Sequence, residues 1–299
     1  MTDMILGAVT NYTYAQIEPW LVSIKRTGFT GTIGLIVYNM DHKDVELLEK
    51  HGVSIFAFSR EANGDLKYPT NDGFNIVVER FIHAWYFLKE MDEKPDYVVM
   101  TDVRDVVFQK DPFQNELYMG AVVLGSENFR YKDEPWSKNN MIQAFGPVIF
   151  DKVKDYEIYC AGVIGGDYEV FMDLCLNTYL LCRGTPAYVP GGGGPDQAAL
   201  NITISQLPWS LNTQYLGLGS DWAVHIGTSS QAIEQGSGEV GAQYLRNKIP
   251  YKDNFVNQGE ISWDEEGTVY NPNGQPYTIV HQYNRIRELN AIIDKRYRD

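Results

Sequence analysis

Along the first hundred residues, short apolar runs alternate with longer stretches whose apolar positions recur every three or four residues, the pattern of a parallel sheet covered by helices. ILGAVT at 5–10 reads as a strand, and Tyr14 to Thr27 places Ile17, Trp20, Leu21 and Ile24 on one helical face before Gly28 ends it. TIGLIVY at 32–38 is a second strand. Asp41 is positioned to cap a helix that runs to His51, with Gly52 as its stop before a third strand, VSIFAFS at 53–59. A polar loop with Asn63-Gly64 and Pro69 leads to a long helix from Phe74 to Met91, with Ile76, Val77, Phe81, Ala84, Trp85 and Leu88 facing inward. DYVVMTD at 96–102 is then a strand that ends in acids.

The second half is less regular. AVVLGSE at 121–127 and EIYCAGVIGG at 157–166 read as buried strands, the latter followed by a helix from Asp167 to Leu181. GGGGPDQAALN at 191–201 is a glycine run opening into a helix. Beyond Trp209, Gly, Asn and Pro are frequent; YTIVHQY at 277–283 is a short strand, and a charged helix follows it. No repeat, low-complexity tract or linker divides the sequence. The expectation is a single α/β domain over residues 1–299, with a mostly parallel central sheet flanked by helices.

Composition narrows this picture. With 299 residues, 44% hydrophobic and 13% aromatic, the chain can bury roughly 75% of its unfolded surface without disulfides or a structural metal. Cys160, Cys175 and Cys182 have neither the number nor the spacing of a disulfide framework or a C-x-x-C site, and are expected as buried thiols in a reducing compartment. MTDMILGAVTNYTY has no basic region followed by a long apolar one, and no window reaches about 18 apolar residues. These features lead to the expectation of a soluble, cytoplasmic chain with no membrane span, in which the sequons at Asn11 and Asn201 are fortuitous. The charge balance, 25 basic against 39 acidic residues for a net −14, disfavours nucleic acid as a partner. It also argues against a phosphorylated ligand, unless a divalent cation stands between the two.

VVMTDVRDVVF at 98–108 supplies the means. An apolar strand ending in Asp102 and Asp105 puts two carboxylates at the carboxyl edge of a parallel sheet, where open α/β folds bind ligands. Hard oxygen donors suit Mg2+ or Mn2+. The alternative is that the aspartates cap a turn and pair with Arg104. TDVRDVVFQKDPF resembles the DxD segment of GT-A glycosyltransferases, and three further pieces follow in the order of their retaining, glycogenin-like and lipopolysaccharide-galactosyltransferase-like members. CAGVIGGD at 160–167 is similar to their small-residue strand beside the sugar, GGPDQAALN at 193–201 to their D-Q-x-x-L-N segment, and VHQYNR at 280–285 to their C-terminal His segment.

The resemblance implies a nucleotide-sugar-binding half over about 1–120 and an acceptor-side half over about 121–299. It also implies a metal held by Asp105 and His281. The acids here read D-V-R-D; aligned on Val106-Val107, Asp105 takes the place of the second acid of the motif, and Asp102 is left to the ribose or to the metal through water. His225, in WAVHIGT, has the same local look as His281, and the resemblance favours His281. Thr10, Asn11 and Tyr12 follow the first strand where this family recognises the nucleotide; Tyr12 or Tyr14 is the aromatic for the base. Arg80 in VVERFIHAWYF needs an anionic partner within an apolar helix. That partner is the donor diphosphate, as the family places an Arg at a similar point, or an acid such as Asp102. His83 on the same helix is read as structural.

Asp196 and Gln197 correspond to the Asp and Gln that lie near the anomeric centre in the family, although Asp196 would equally serve as a helix cap. Asp167 is open to two compatible roles, holding sugar hydroxyls or capping the next helix. Gly191 to Gly194 lack the G-K-[ST] of a P-loop and are expected to let the backbone pass close to the sugar or acceptor. Trp209, Trp222 and Trp263 suit either acceptor stacking or core packing. The activity implied is metal-dependent transfer of a sugar from a nucleoside-diphosphate sugar, a UDP-sugar foremost, to a glycan hydroxyl with retention. The rivals are a sugar-nucleotide pyrophosphorylase, whose glycine-rich basic loop NYTYAQIEP lacks, and a non-catalytic carbohydrate-binding protein of the same fold. A Rossmann dehydrogenase is disfavoured because no G-x-G-x-x-G follows a strand.

Overall fold

A computed structural model describes residues 3–69, 75–114, 120–186 and 193–298. The N-terminal alternation becomes β1 (Met4–Val9), α1 (Tyr14–Arg26), β2 (Thr32–Val37), α2 (His42–Lys50) and β3 (Ser54–Ala57), then a small hairpin of β4 (Ser59–Arg60) and β5 (Leu66–Lys67). Next come α3 (Ile76–Glu90), β6 (Tyr97–Thr101), β7 (Val106–Phe108), β8 (Val122–Arg130) and α4 (Pro135–Val153). They are followed by β9 (Glu157–Asp167), α5 (Tyr168–Arg183), α6 (Asp196–Ile204), β10 (Thr213–Leu216) and β11 (Ala223–His225). The last elements are α7 (Ser230–Glu234), α8 (Gly238–Asn247), β12 (Ser262–Trp263), β13 (Val269–Tyr270), β14 (Ile279–His281) and α9 (Arg287–Tyr297).

The main sheet has seven strands in the order β10-β8-β9-β6-β1-β2-β3. Its strands pair in parallel except β9, which runs against both β6 and β8. The fold is thus α/β with a mostly parallel sheet flanked by helices, as the periodicities imply, and strands from both halves of the chain share that sheet.

Each face of the sheet has its own core, because alternate strand residues point to opposite sides. Ile5, Val9, Leu35 and Val99 meet Ile17, Trp20, Leu21 and Ile24 of α1 on one face. Leu6, Ile36, Val98 and Met100 meet Phe81, Ala84 and Leu88 of α3 and Phe171 and Leu174 of α5 on the other. Each such side chain contributes about 1.5–3 kcal/mol when fully buried.

The inward face of α3 differs from the one its periodicity implies. Val78, Arg80 and His83 are buried, whereas Ile76, Val77 and Trp85 are only half-buried, and Phe74 lies outside the described residues. The cause is a second contact, since Val78 packs on Cys182 of α5 and Ala199 of α6 as well as the helix packing on the sheet. His83 shares a hydrogen bond of 3.0 Å with the Tyr38 hydroxyl, and burial pushes its imidazole down to about 4, in keeping with a structural role. Gly7 of β1 has no room for a side chain, because a Cβ would stand 2.4 Å from Val103. That close approach brings the loop after β6 onto the end of β1.

A smaller sheet, β11-β14-β7, lies beyond the carboxyl edge of the main one. The three cysteines are free and buried. Among the described residues, no helix is long and apolar enough to cross a membrane.

Candidate active site at the carboxyl edge of the sheet

The loop Asp102–Asp105 joins β6 of the main sheet to β7 of the small one. Its first peptide is held by Asp102 N–H donating to the Gly162 carbonyl at 2.8 Å. β7 pairs antiparallel with β14 in a register that sets Val106 opposite His281, and Gln282 N–H donates to the Asp105 carbonyl at 2.7 Å. This pairing brings the C-terminal histidine to the acids. His281 Nε2 lies 3.4 Å from Asp102 Oδ2 and 3.8 Å from Asp105 Oδ1. Gly162 makes room for the ring, since a Cβ there would stand 2.3 Å from His281 Cε1.

Asp102, Asp105 and His281 each offer one ligand atom, all within 4.8 Å of one another. Ligands roughly 2.1 Å from a common ion lie about 3–4 Å apart, so the cluster has suitable dimensions. His281 Nε2 is buried and makes no hydrogen bond, which leaves its lone pair available. Two carboxylate oxygens and an imidazole nitrogen are donors for Mg2+ or Mn2+. The site residues therefore fit the metal that the sequence implies, with Asp102 placed beside Asp105 in the cluster. His225 is not part of it. It lies behind His281, in a second group with Cys160, whose Sγ is 3.7 Å from His281 Nδ1.

The protonation behaviour follows from the surroundings. Burial alone would raise the Asp102 carboxyl, but Arg80 and His281 outweigh it and hold the group well below the usual carboxylate range. For Asp105, burial outweighs the attraction of His281 and the group is raised. Burial lowers the His281 imidazole, but the adjacent carboxylates of Asp102 and Asp105 raise it on balance.

Arg80 is buried and engaged by the chain itself. One Nη donates to Asp102; the other donates to the Ala161 carbonyl at 2.8 Å and to Asp196 Oδ2 at 3.3 Å. The acid partner open to it from the sequence is met, and the arginine also borders the cleft beside Asp102. Asp196, in the first turn of α6, is correspondingly tied to Arg80. Its neighbour Gln197 accepts from Ala161 N–H at 3.3 Å and donates to Glu127 Oε2 at 3.3 Å.

Two clefts lie near the cluster, the first lined by its two acids and the second by Gln282, the residue after His281. One, of about 290 Å³, is lined by Tyr12, Val77, Arg80, Asp102, Arg104, Asp105, Asn284 and Arg285. The other, of about 340 Å³, is lined by Glu127, Trp136, Gln197, Glu239, Gln282 and Arg285. Arg285 borders both. Tyr12 is the aromatic at the first cleft, whereas Tyr14 stacks on His51 with ring centroids 5.5 Å apart. Thr10 and Asn11 close the end of β1 through Asn39, which donates to the Thr10 hydroxyl at 3.4 Å and accepts Asn11 N–H at 2.9 Å.

One reading from the sequence needs correction. Asp167 is not at this edge: β9 is reversed, so Asp167 pairs with Tyr97 at the opposite edge while Val163 pairs with Thr101. There Asp167 caps α5 by accepting from Glu169 N–H at 3.2 Å. Of the glycine run, Gly193 lies against Trp136, where a Cβ would stand 3.4 Å from the ring. Gly194 lies under α3, where a Cβ would meet Val77 at 2.5 Å, and its carbonyl accepts from Asn140 at 3.1 Å. Gly191 and Gly192 lie outside the described residues. Trp222 is core.

Sequence reasoning passed over Glu127, Trp136 and Arg285. Glu127 ends AVVLGSE just as Asp102 ends DYVVMTD, and that signal was available. Its carboxyl is buried, and burial together with Glu134 pushes it up to about 7.

Among solved structures, the chain is similar to the apo-form glycosyltransferase GlyE of Streptococcus pneumoniae TIGR4, at 13% identity and a TM-score of 0.46, covering 94% of this chain and 54% of that one. It is also similar to the apo structure of the bifunctional glycosyltransferase WbbM, at 14% identity and a TM-score of 0.49, covering 84% of this chain and 45% of that one. The chain spans about half the length of these structures. No family model matches the sequence, and no curated protein does.

Proposed function

We propose that the protein is a metal-dependent glycosyltransferase that moves a sugar from a nucleoside-diphosphate sugar, foremost a UDP-sugar, to a hydroxyl of an acceptor glycan with retention of configuration. The observation that carries this reading is the Asp102, Asp105 and His281 cluster at the carboxyl edge of the sheet, with two clefts near it. A divalent ion, Mn2+ or Mg2+, held by these three residues would act as a Lewis acid toward the leaving diphosphate.

The chain's own groups divide the remaining work. Tyr12 in the first cleft offers a flat apolar face to the base, and Arg104 and Arg285 offer cations to the phosphates. Arg80 keeps Asp102 ionised and oriented rather than reaching for the donor as a free cation. In the second cleft, Gln197 is held between Ala161 and Glu127, so its amide is oriented before substrate arrives. It is the group assigned to the anomeric centre, with Asp196 behind it and bound to Arg80. Trp136 in the same cleft provides a surface for an acceptor sugar.

The test is donor turnover across UDP-, GDP- and dTDP-sugars with Mn2+, for wild type and Asp105→Ala. The variant is expected to fold normally by circular dichroism and to lose at least about a thousandfold in kcat/KM. Full activity in it, or no turnover of any donor by wild type, overturns the reading. Proton NMR of the product reads retention directly from the anomeric coupling.

A further inference from the structure

His225 and His281 stand in direct register on the neighbouring parallel strands β11 and β14, with their rings nearly perpendicular. Their Nδ1 atoms face each other at 2.9 Å. At that distance one nitrogen must carry the proton and the other must present a lone pair. What His281 Nε2 faces decides which is which. His281 Nε2 looks toward Asp102 and Asp105. His225 Nε2 looks the other way, toward Gly125 of β8, and makes no hydrogen bond there, so the assignment follows from His281, whose Nε2 must be free of a proton to take a cation. The approach to Gly125 is so close that a Cβ there would stand 2.7 Å from His225 Nε2. Cys160 Sγ is the other polar atom near His281 Nδ1, but at 3.7 Å it is the longer contact, and it already accepts from Gly162 N–H.

We infer that His225 is a positioning residue. With its proton on Nε2, it accepts Nδ1–H of His281 and thereby leaves the Nε2 lone pair of His281 aimed between Asp102 and Asp105 for a divalent cation. A histidine ligand whose remote nitrogen is so tied is fixed in both tautomer and ring orientation. Both strands are buried here, so no solvent competes for that bond. The inference rests on the metal reading given under the proposed function.

Binding of Mn2+ alone, read by electron paramagnetic resonance of the free ion, separates the possibilities for wild type, His225→Leu and His225→Asn. Leucine keeps bulk without an acceptor, while asparagine puts an oxygen where Nδ1 was. The expected result is about 10- to 100-fold weaker binding by His225→Leu and recovery to within about threefold of wild type by His225→Asn. Equal binding by wild type and His225→Leu overturns the role of His225 and leaves the metal site standing. Absence of binding by wild type overturns the metal reading and this inference with it. A second measurement does not depend on how the variants fold: 15N spectra of the histidine-labelled wild type, which has five histidines, report the protonated nitrogen of each ring. His225 is expected to carry its proton on Nε2; a proton on Nδ1 instead overturns the inference.

Discussion

Glu127 sits in an environment far from what its type would suggest. It lies within β8, is buried beside Gln197, and is held protonated up to about pH 7 by burial and by Glu134. Because its folded value lies above the ordinary 4.5, the folded chain keeps a proton that the unfolded chain loses, and stability falls as pH rises through that window. Glu127→Gln keeps the shape without the charge. It is expected to match wild type in urea denaturation near pH 4.5, and to exceed it near pH 8 by on the order of 3 kcal/mol. Equal stabilities at both pH values would mean that the carboxyl is not held protonated in the fold. Asp102 behaves oppositely. Arg80 and His281 hold it ionised against the effect of burial, so the neighbours decide the charge state of each carboxylate.

At the scale of elements, the site is assembled by α6 docking on β9. Asn201 makes the join: its Oδ1 accepts Tyr159 N–H at 2.9 Å, and its Nδ2 donates to the Tyr159 carbonyl at 2.7 Å and to the Gln197 carbonyl at 2.8 Å. An edge of irregular β9 is thereby paired by a side chain where the ladder is interrupted by register shifts. Asn201→Ala leaves both Tyr159 backbone groups without partners, and chemical denaturation is expected to register a loss of about 2–3 kcal/mol. Donor turnover should fall as well, because Gln197 is placed by the same helix. A loss below about 0.5 kcal/mol would mean that other contacts dock α6. Buried in this role, Asn201 is no acceptor for glycosylation in the folded chain, whatever its sequon.

For the whole molecule, under the proposed function, a net charge of −14 and a site built on carboxylates would leave donor phosphates without enough cations of the chain's own. Arg104 and Arg285 border the first cleft, but Asp102 and Asp105 face them. Donor binding should therefore collapse when divalent metal is removed. In a thermal-shift assay with Mn2+, a UDP-sugar at about 100 times its Kd is expected to add about 2.7 kcal/mol of apparent stability, a shift of several degrees. In EDTA the shift should vanish. A shift that persists in EDTA would assign donor binding to the arginines instead.

The sequence by itself determined most elements of the first hundred residues, because the periods that distinguish helix from strand are local, whereas α4 and most of the short elements after α6 were not read from it. The face of α1, with Ile17, Trp20, Leu21 and Ile24, and the acid-ended strand at Asp102 were legible for that reason. Which histidine meets the acids was not. His225 and His281 both close short apolar strands, and only the pairing of β14 with β7, more than 170 residues apart in sequence, sets His281 at the carboxylates and His225 behind it. Direction was equally hidden: the reversal of β9 sends Asp167 to the far edge and brings Cys160 to Gly162 to the near one. Strand partner and strand direction are long-range choices made by the packing of whole faces, and a local pattern of apolar and polar residues contains neither.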